Sequence, residues 1–207
     1  MVDVEKLQKE QLKLAKKVIT KDDFDNSNLI AGCDQSYIEK KVISAVVVCD
    51  YKTKKVIEKS HAITDTLIPY IPGFLSYRES PAIIEAFNKL ENKPDILMVD
   101  GNGILHFRRI GMASHIGILL DIPTIGVAKR LLCGDLKDGK VYMENEGRAI
   151  EFISREHAKP IYISPGHRIS LKTSFEIVKN LMEYPHKLPE PLHIAHKLVT
   201  KLREELK

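Results

Sequence analysis

The chain has 207 residues and a formal net charge of +4 at pH 7, enough length to bury a sizeable core as one domain over 1–207 and a slight basicity that permits a nucleic-acid partner without requiring one. Hydrophobic residues make up 43% and charged residues 29%, the balance of a globular protein, and no apolar run reaches the length of a membrane span. Cys33, Cys49 and Cys133 are odd in number and widely spaced, which argues against a zinc knuckle or a disulfide framework and fits a reducing, cytoplasmic setting.

Val4, Leu7, Leu12, Leu14 and Val18 recur among lysines and glutamates, so residues 3–18 read as a surface helix within a peripheral segment over 1–21, unlike a signal peptide. Its basic side should face solvent and its apolar side should pack. A polar connector over 22–28 precedes three β-rich runs at 29–34, 42–50 and 55–63, of which the second is β-branched and nearly unbroken, as a central strand should be. Tyr51-Lys52-Thr53-Lys54 suits the turn between the second and third, giving an antiparallel meander. Ser80-Pro81 reads as a helix start, a capping hydroxyl followed by proline at the first helical position, with the helix running to about Asn92. A strand ending at Asp100, a helix over roughly 109–120 and a strand over 124–127 make a parallel βαβ unit. Beyond Cys133 the pattern weakens, with short strands at 148–153 and 161–163, little recognisable elsewhere over 136–159, and a helix from Ser170 to about Met182. Pro185, Pro189 and Pro191 separate that helix from a last one carrying His193, His196, Lys197 and Lys201. A meander feeding βαβ units predicts an α/β protein of three layers, a central mixed β-sheet flanked by helices.

Three carboxylates stand out by position. Asp34 ends the first strand, Asp100 ends the central parallel strand, and Glu79 lies immediately before Ser80-Pro81. A single strand-end acid is usually a solvated one. If the first and fourth strands are neighbours, however, the three meet, and clustered carboxylates repel one another unless a cation neutralises them. Hard oxygen ligands suit Mg²⁺ or Mn²⁺, which activate water and steady charge on a phosphoryl oxygen. Gly101 and Gly103 keep the backbone bare after Asp100, so a flat ligand can approach. Pro69 and Pro72 stiffen a loop with an aromatic and an aliphatic tip, Tyr70 and Ile71, of the kind that can enter a base stack. Among the histidines, His115 reads as a packed, hydrogen-bonded core residue, His61, His157, His186 and His193 as surface residues, and His167 as a cap for the Ser170 helix.

The segments Pro69-Tyr70-Ile71-Pro72-Gly73-Phe74-Leu75-Ser76-Tyr77-Arg78-Glu79, Val99-Asp100-Gly101-Asn102-Gly103-Ile104-Leu105-His106 and Asp121-Ile122-Pro123-Thr124-Ile125-Gly126-Val127-Ala128-Lys129 resemble endonuclease V. Ala31-Gly32-Cys33-Asp34, Ser164-Pro165-Gly166-His167 and Leu188-Pro189-Glu190-Pro191 with Ala195-His196 extend the resemblance over most of the chain. It implies a ribonuclease H-like fold and a Mg²⁺-dependent endodeoxyribonuclease, with Mn²⁺ as substitute, acting as a monomer in DNA repair. Such an enzyme nicks the strand containing deoxyinosine at the second phosphodiester bond 3′ to the lesion and leaves a 3′-hydroxyl and a 5′-phosphate. By the same resemblance Asp34, Glu79, Asp100 and His196 would be the metal residues, and Lys129 would stand beside the scissile phosphate. Tyr70, Ile71 and Pro72 would form the strand-separating wedge, with Gly73, Leu75, Gly101, Gly103 and His106 along the base pocket. Phe107 departs from the pattern, since relatives commonly have proline there. Inosine-containing RNA, branched or mismatched nucleic acid, and a non-catalytic module for modified bases stay open as alternatives.

Overall fold

The computed structural model of the chain describes residues 2–207. Helix α1 (Val4–Ala15) precedes β1 (Leu29–Ile38), β2 (Lys41–Asp50) and β3 (Val56–Asp65). Helix α2 (Leu75–Asn88) leads to β4 (Ile96–Asp100), α3 (Met112–Leu120) and β5 (Thr124–Ala128). Strands β6 (Asp135–Lys137), β7 (Lys140–Met143), β8 (Glu146–Phe152) and β9 (Ile161–His167) come next, followed by α4 (Leu171–Asn180) and α5 (Glu190–Glu205).

Among the described residues the strands form one mixed sheet in the order β3-β2-β1-β4-β5-β9-β8-β7-β6. The meander is antiparallel, β1, β4 and β5 are parallel neighbours, and Cys33 lies opposite Val99. Side chains alternate across the sheet, so β1 and β4 each serve two cores. Ala31, Cys33, Leu97 and Val99 pack with Ile83, Phe87, Met112 and Ile116 of α2 and α3. Ile30, Ile96, Met98, Ile125 and Val127 pack on the opposite face with Ile177 and Val178 of α4 and Leu192 of α5. The three-layer α/β arrangement is the one expected, and the adjacency of the first and fourth strands is what draws the chain's acids together.

Several local expectations need correction. Ser80-Pro81 does not open a helix: both residues lie inside α2, whose first residue is Leu75. Gly73, at φ +80°, ends the preceding loop, and Ser80 Oγ donates 2.5 Å back to the Ser76 carbonyl. Glu79 therefore rides on a helical turn. Helix α3 begins later than Arg109, because Arg109 is left-handed at φ +57° and Gly111 caps the helix. Strand β1 continues past Asp34, and α1 ends at Ala15 with Gln11 as its buried residue and Leu12 49% exposed, so a polar side chain anchors the helix. Ser164 to His167 is strand, and His167 accepts from the Ile19 amide at 3.3 Å; Ser170 caps its own helix, with Oγ accepting from the Thr173 amide at 3.1 Å. His186 and His193 are partly buried and stacked, ring centroids 3.5 Å apart.

Candidate active site

Strand alternation puts Asp34, Asp100 and Lys129 on one face. Asp34 follows Ile30 and Gly32 in parity, Asp100 follows Ile96 and Met98, and Lys129 follows Ile125 and Val127. Asp100 ends β4, Lys129 follows β5, and Asp34 within β1 lies level with Asp100, so the three meet beside the carboxyl ends of β4 and β5 on the side covered by α5. Helix α5 supplies His196, whose Nδ1–H donates to Asp34 Oδ2 at 2.6 Å, while Asp34 Oδ1 accepts from the Gln35 amide at 2.8 Å. Lys129 Nζ donates to Asp100 Oδ2. Glu79 reaches the same place from α2 in the other layer, and the Tyr37 hydroxyl donates to its Oε1.

The electrostatics follow from crowding acids in a buried place. Burial, then the Asp34 carboxylate, pushes Asp100 up to about 7, with Lys129 opposing. Burial also raises Glu79 to about 7; the Tyr37 hydroxyl works the other way, and Asp100 and Asp34 add to the rise. Lys129 is lowered by burial but held above its ordinary value overall by Asp100 and Asp34. Burial, with Asp34, Asp100 and Glu79 adding to it, drives the neighbouring Cys33 thiol far above its usual range, so it offers no soft ligand.

A divalent ion suits this donor set. Two buried carboxylates are destabilised as anions with a third beside them, all donors are hard oxygens apart from one imidazole, and a small doubly charged cation would relieve the repulsion. As they stand, no three Asp, Glu, His or Cys side chains among the described residues surround a common point closely enough to hold an ion. Lys129 and His196 instead occupy oxygens of Asp100 and Asp34.

Directly after Asp100, the turn lines a pocket of about 140 Å³, with Tyr70, Gly73 and Leu75 on one side and Gly101, Asn102 and His106 on another. Tyr70 is 66% exposed at the loop tip. The ends of that loop are fastened. Arg78 Nη1 donates to the Ile68 carbonyl at 3.2 Å with its guanidinium 4.8 Å from the Tyr37 ring centroid. At the other end the Gly73 carbonyl accepts from Gln11 Nε2 at 2.9 Å and Arg108 Nη2 at 3.0 Å, and Arg108 lies over the Phe74 ring. His106 Nδ1 accepts from the Arg108 amide at 3.2 Å, and burial, then Arg108, push this imidazole down to about 4.

Ile71, Pro72 and Gly103 do not line the pocket. The Gly103 amide is given to Ser164 Oγ at 2.8 Å and its carbonyl accepts from the Gly111 amide at 2.9 Å, so its bare backbone serves close packing against β9. The residue that sequence reasoning passed over is Asn102, between the two glycines. Its Oδ1 is buried without a hydrogen-bond partner, an unmet acceptor that needs an explanation. Tyr37, Arg78 and Gln11 were equally silent, because their partners lie 42, 10 and 62 positions away in sequence.

A mixed sheet of this topology, with acids side by side on adjacent parallel strands, is a ribonuclease H-like fold. The endonuclease V family profile matches residues 12–197. Endonuclease V of Dictyoglomus thermophilum is 44% identical over 200 residues, covering 92% of this chain and 86% of that protein. The crystal structure of endonuclease V from Bacillus subtilis superposes with a TM-score of 0.91 at 32% identity, covering all of this chain and 94% of the other. A Ciona intestinalis endonuclease V, solved with a 23mer DNA containing an inosine followed by a ribo-adenosine, gives a TM-score of 0.88 at 28% identity and full coverage of both chains. The chain belongs to the endonuclease V family, and so to the endonucleases, hydrolases of the nucleic-acid backbone.

Proposed function

We propose that the chain cuts DNA strands carrying deoxyinosine, using Mg²⁺ or Mn²⁺, at the second phosphodiester bond 3′ to the lesion, and leaves a 3′-hydroxyl and a 5′-phosphate as a step in DNA repair. One observation carries the reading. Asp100 belongs to the acid cluster, and the next two residues, Gly101 and Asn102, line a small pocket, so base recognition and backbone cleavage share one turn. The relative solved with inosine-containing DNA supports this choice of substrate. All the groups involved come from one chain, so a monomer suffices.

Asp34, Asp100 and Glu79 would hold the ion with His196 at the edge of Asp34; once bound, it supplies activated water and neutralises charge on the phosphoryl group. Lys129 holds a phosphate oxygen with its ammonium, a point charge already aimed at Asp100. The loop tip at Tyr70 keeps the helix parted while the base turns out. In the pocket, Asn102 Oδ1 accepts the N1–H that hypoxanthine has and adenine lacks. His106 stays neutral above its lowered pKa of about 4 and adds no charge to the recognition of a neutral base. A labelled oligonucleotide with a single deoxyinosine tests the whole reading. Cleavage should require added Mg²⁺, vanish in Asp100→Ala while strand binding survives, and spare the matched undamaged duplex; cutting in the presence of a chelator would overturn it. Because the Ciona strand carries a ribonucleotide after the inosine, matched inosine RNA belongs in the same assay.

A further inference from the structure

The pocket beside Asp100 ends at His106, which is 4% exposed, and the next residue faces elsewhere. Phe107 is 59% exposed and lines a separate cleft of about 440 Å³. Leu12 and Ala15 of α1 form the apolar wall of this cleft, and Glu144 and Arg148 close it from the β7–β8 turn and β8. Two of the four cations that line this cleft are ion-paired. Arg109 pairs with Glu146, and Arg148 pairs with Glu144 at 2.8 Å and Glu146 at 3.1 Å. Arg108 is committed to Gln11, Gly73 and the Phe74 ring. Lys16 and Arg108 are the lining cations with no ion pair among the described residues, and Lys16 is the one whose side chain makes no hydrogen bond there. Two ion-paired arginines, a third held by uncharged partners, an aliphatic wall and one open aromatic face do not make a strong anion trap. They make a seat for a flat, uncharged ring with a single anionic group at its rim.

We propose that this cleft is a second nucleotide site, in which a nucleobase neighbouring the lesion stacks on Phe107 and its phosphate meets Lys16. The inference rests on the function proposed above. The two sites lie back to back on consecutive residues, so a strand that gives one base to the pocket at His106 carries an unstacked neighbour toward Phe107. Gly73 and Arg108 stand between them and keep the two bases apart. Stacking of a base on an aromatic side chain is sequence-tolerant, so this site adds grip without adding to lesion choice.

The test is steady-state cleavage of a deoxyinosine oligonucleotide by wild type, Phe107→Ala, Phe107→Trp and Lys16→Ala. Phe107 is exposed, so truncation opens no cavity. Phe107→Ala should raise KM roughly tenfold with kcat retained, and Phe107→Trp should restore it. Substrates with an abasic residue 5′ of, 3′ of or opposite the lesion locate the stacked base, because at one of these positions wild type and Phe107→Ala become equal. Lys16→Ala should flatten the salt dependence of KM, whereas Phe107→Ala should not. An unchanged KM in Phe107→Ala, or a rise that every abasic substrate shows equally, would overturn the site. Failure of wild type to cut any deoxyinosine strand would instead overturn the function beneath it.

Discussion

Tyr37 shows how one side chain can tie together two parts of the site. Its hydroxyl fixes Glu79, and the face of its ring carries Arg78, which in turn holds the Ile68 carbonyl at the foot of the Tyr70 loop. The phenol is thus a positioning residue that links the loop to an acid of the cluster. Tyr37→Phe separates the two duties, keeping the stack and releasing Glu79. It should lower kcat on deoxyinosine DNA roughly tenfold, about 1.4 kcal/mol, as expected for loss of one hydrogen bond to a charged group. KM should hold, and the Mn²⁺ concentration for half-maximal binding, read by electron paramagnetic resonance, should rise. Tyr37→Leu removes the stack as well and should raise KM too. Equal kinetics of Tyr37→Phe and wild type would show that Glu79 needs no such support.

Helix α5 and strand β1 depend on each other through Gly32. A Cβ at this position would lie 2.5 Å from the backbone nitrogen of Leu192, with the Pro191 carbonyl carbon closer still. Neither can swing aside as a flexible side chain would. Gly32→Ala should therefore lift the start of α5 off the sheet, lowering stability by roughly 1–3 kcal/mol in urea unfolding, the usual cost of overpacking. Cleavage should fall as well, because α5 holds His196 against Asp34; a variant with the wild-type midpoint would show that α5 docks elsewhere. The same strand illustrates which features could be read from residues alone. The unbroken apolar run of β2 and the strand ending at Asp100 are legible because burial on both faces leaves a continuous hydrophobic signature. Strand β6 is not, since all three of its residues are exposed and no alternation marks them. The start of α2 misleads because the Ser-Pro cue that usually opens a helix sits in its interior, and what starts the helix is a left-handed Gly73. Within the site, Asp100 is legible from its place at a strand end, whereas Asp34 lies inside β1 and Glu79 stands beside a Ser-Pro cue that is interior to α2. The side chains that orient these acids are not legible, because their contacts bridge distant parts of the chain.

Acidification acts on the whole fold through two sets of groups with opposite sign. Burial holds His115 and His106 down at about 4, well below the ordinary imidazole value, while Asp100 and Glu79 are held up near 7. A depressed histidine favours the folded state fully above its unfolded pKa and loses that contribution as pH falls, because the unfolded chain takes up the proton first. A raised carboxylate does the reverse and gains on acidification. The net stability curve therefore conceals both, and a single-residue comparison is needed to expose either one. His115 serves best, because burial is the only cause of its shift and no charged neighbour contributes. It packs edge-on against Tyr77, ring centroids 5.0 Å apart, and its Nδ1 is buried without a partner. His115→Gln removes the titration and leaves the carboxylates in place, so their contribution cancels between the two proteins. Between pH 7 and pH 5, wild type should lose roughly 2 kcal/mol more unfolding free energy than the variant, measured by urea denaturation at each pH. Parallel pH profiles would mean that His115 carries its proton in the fold, and that the α2–α3 interface around it admits water.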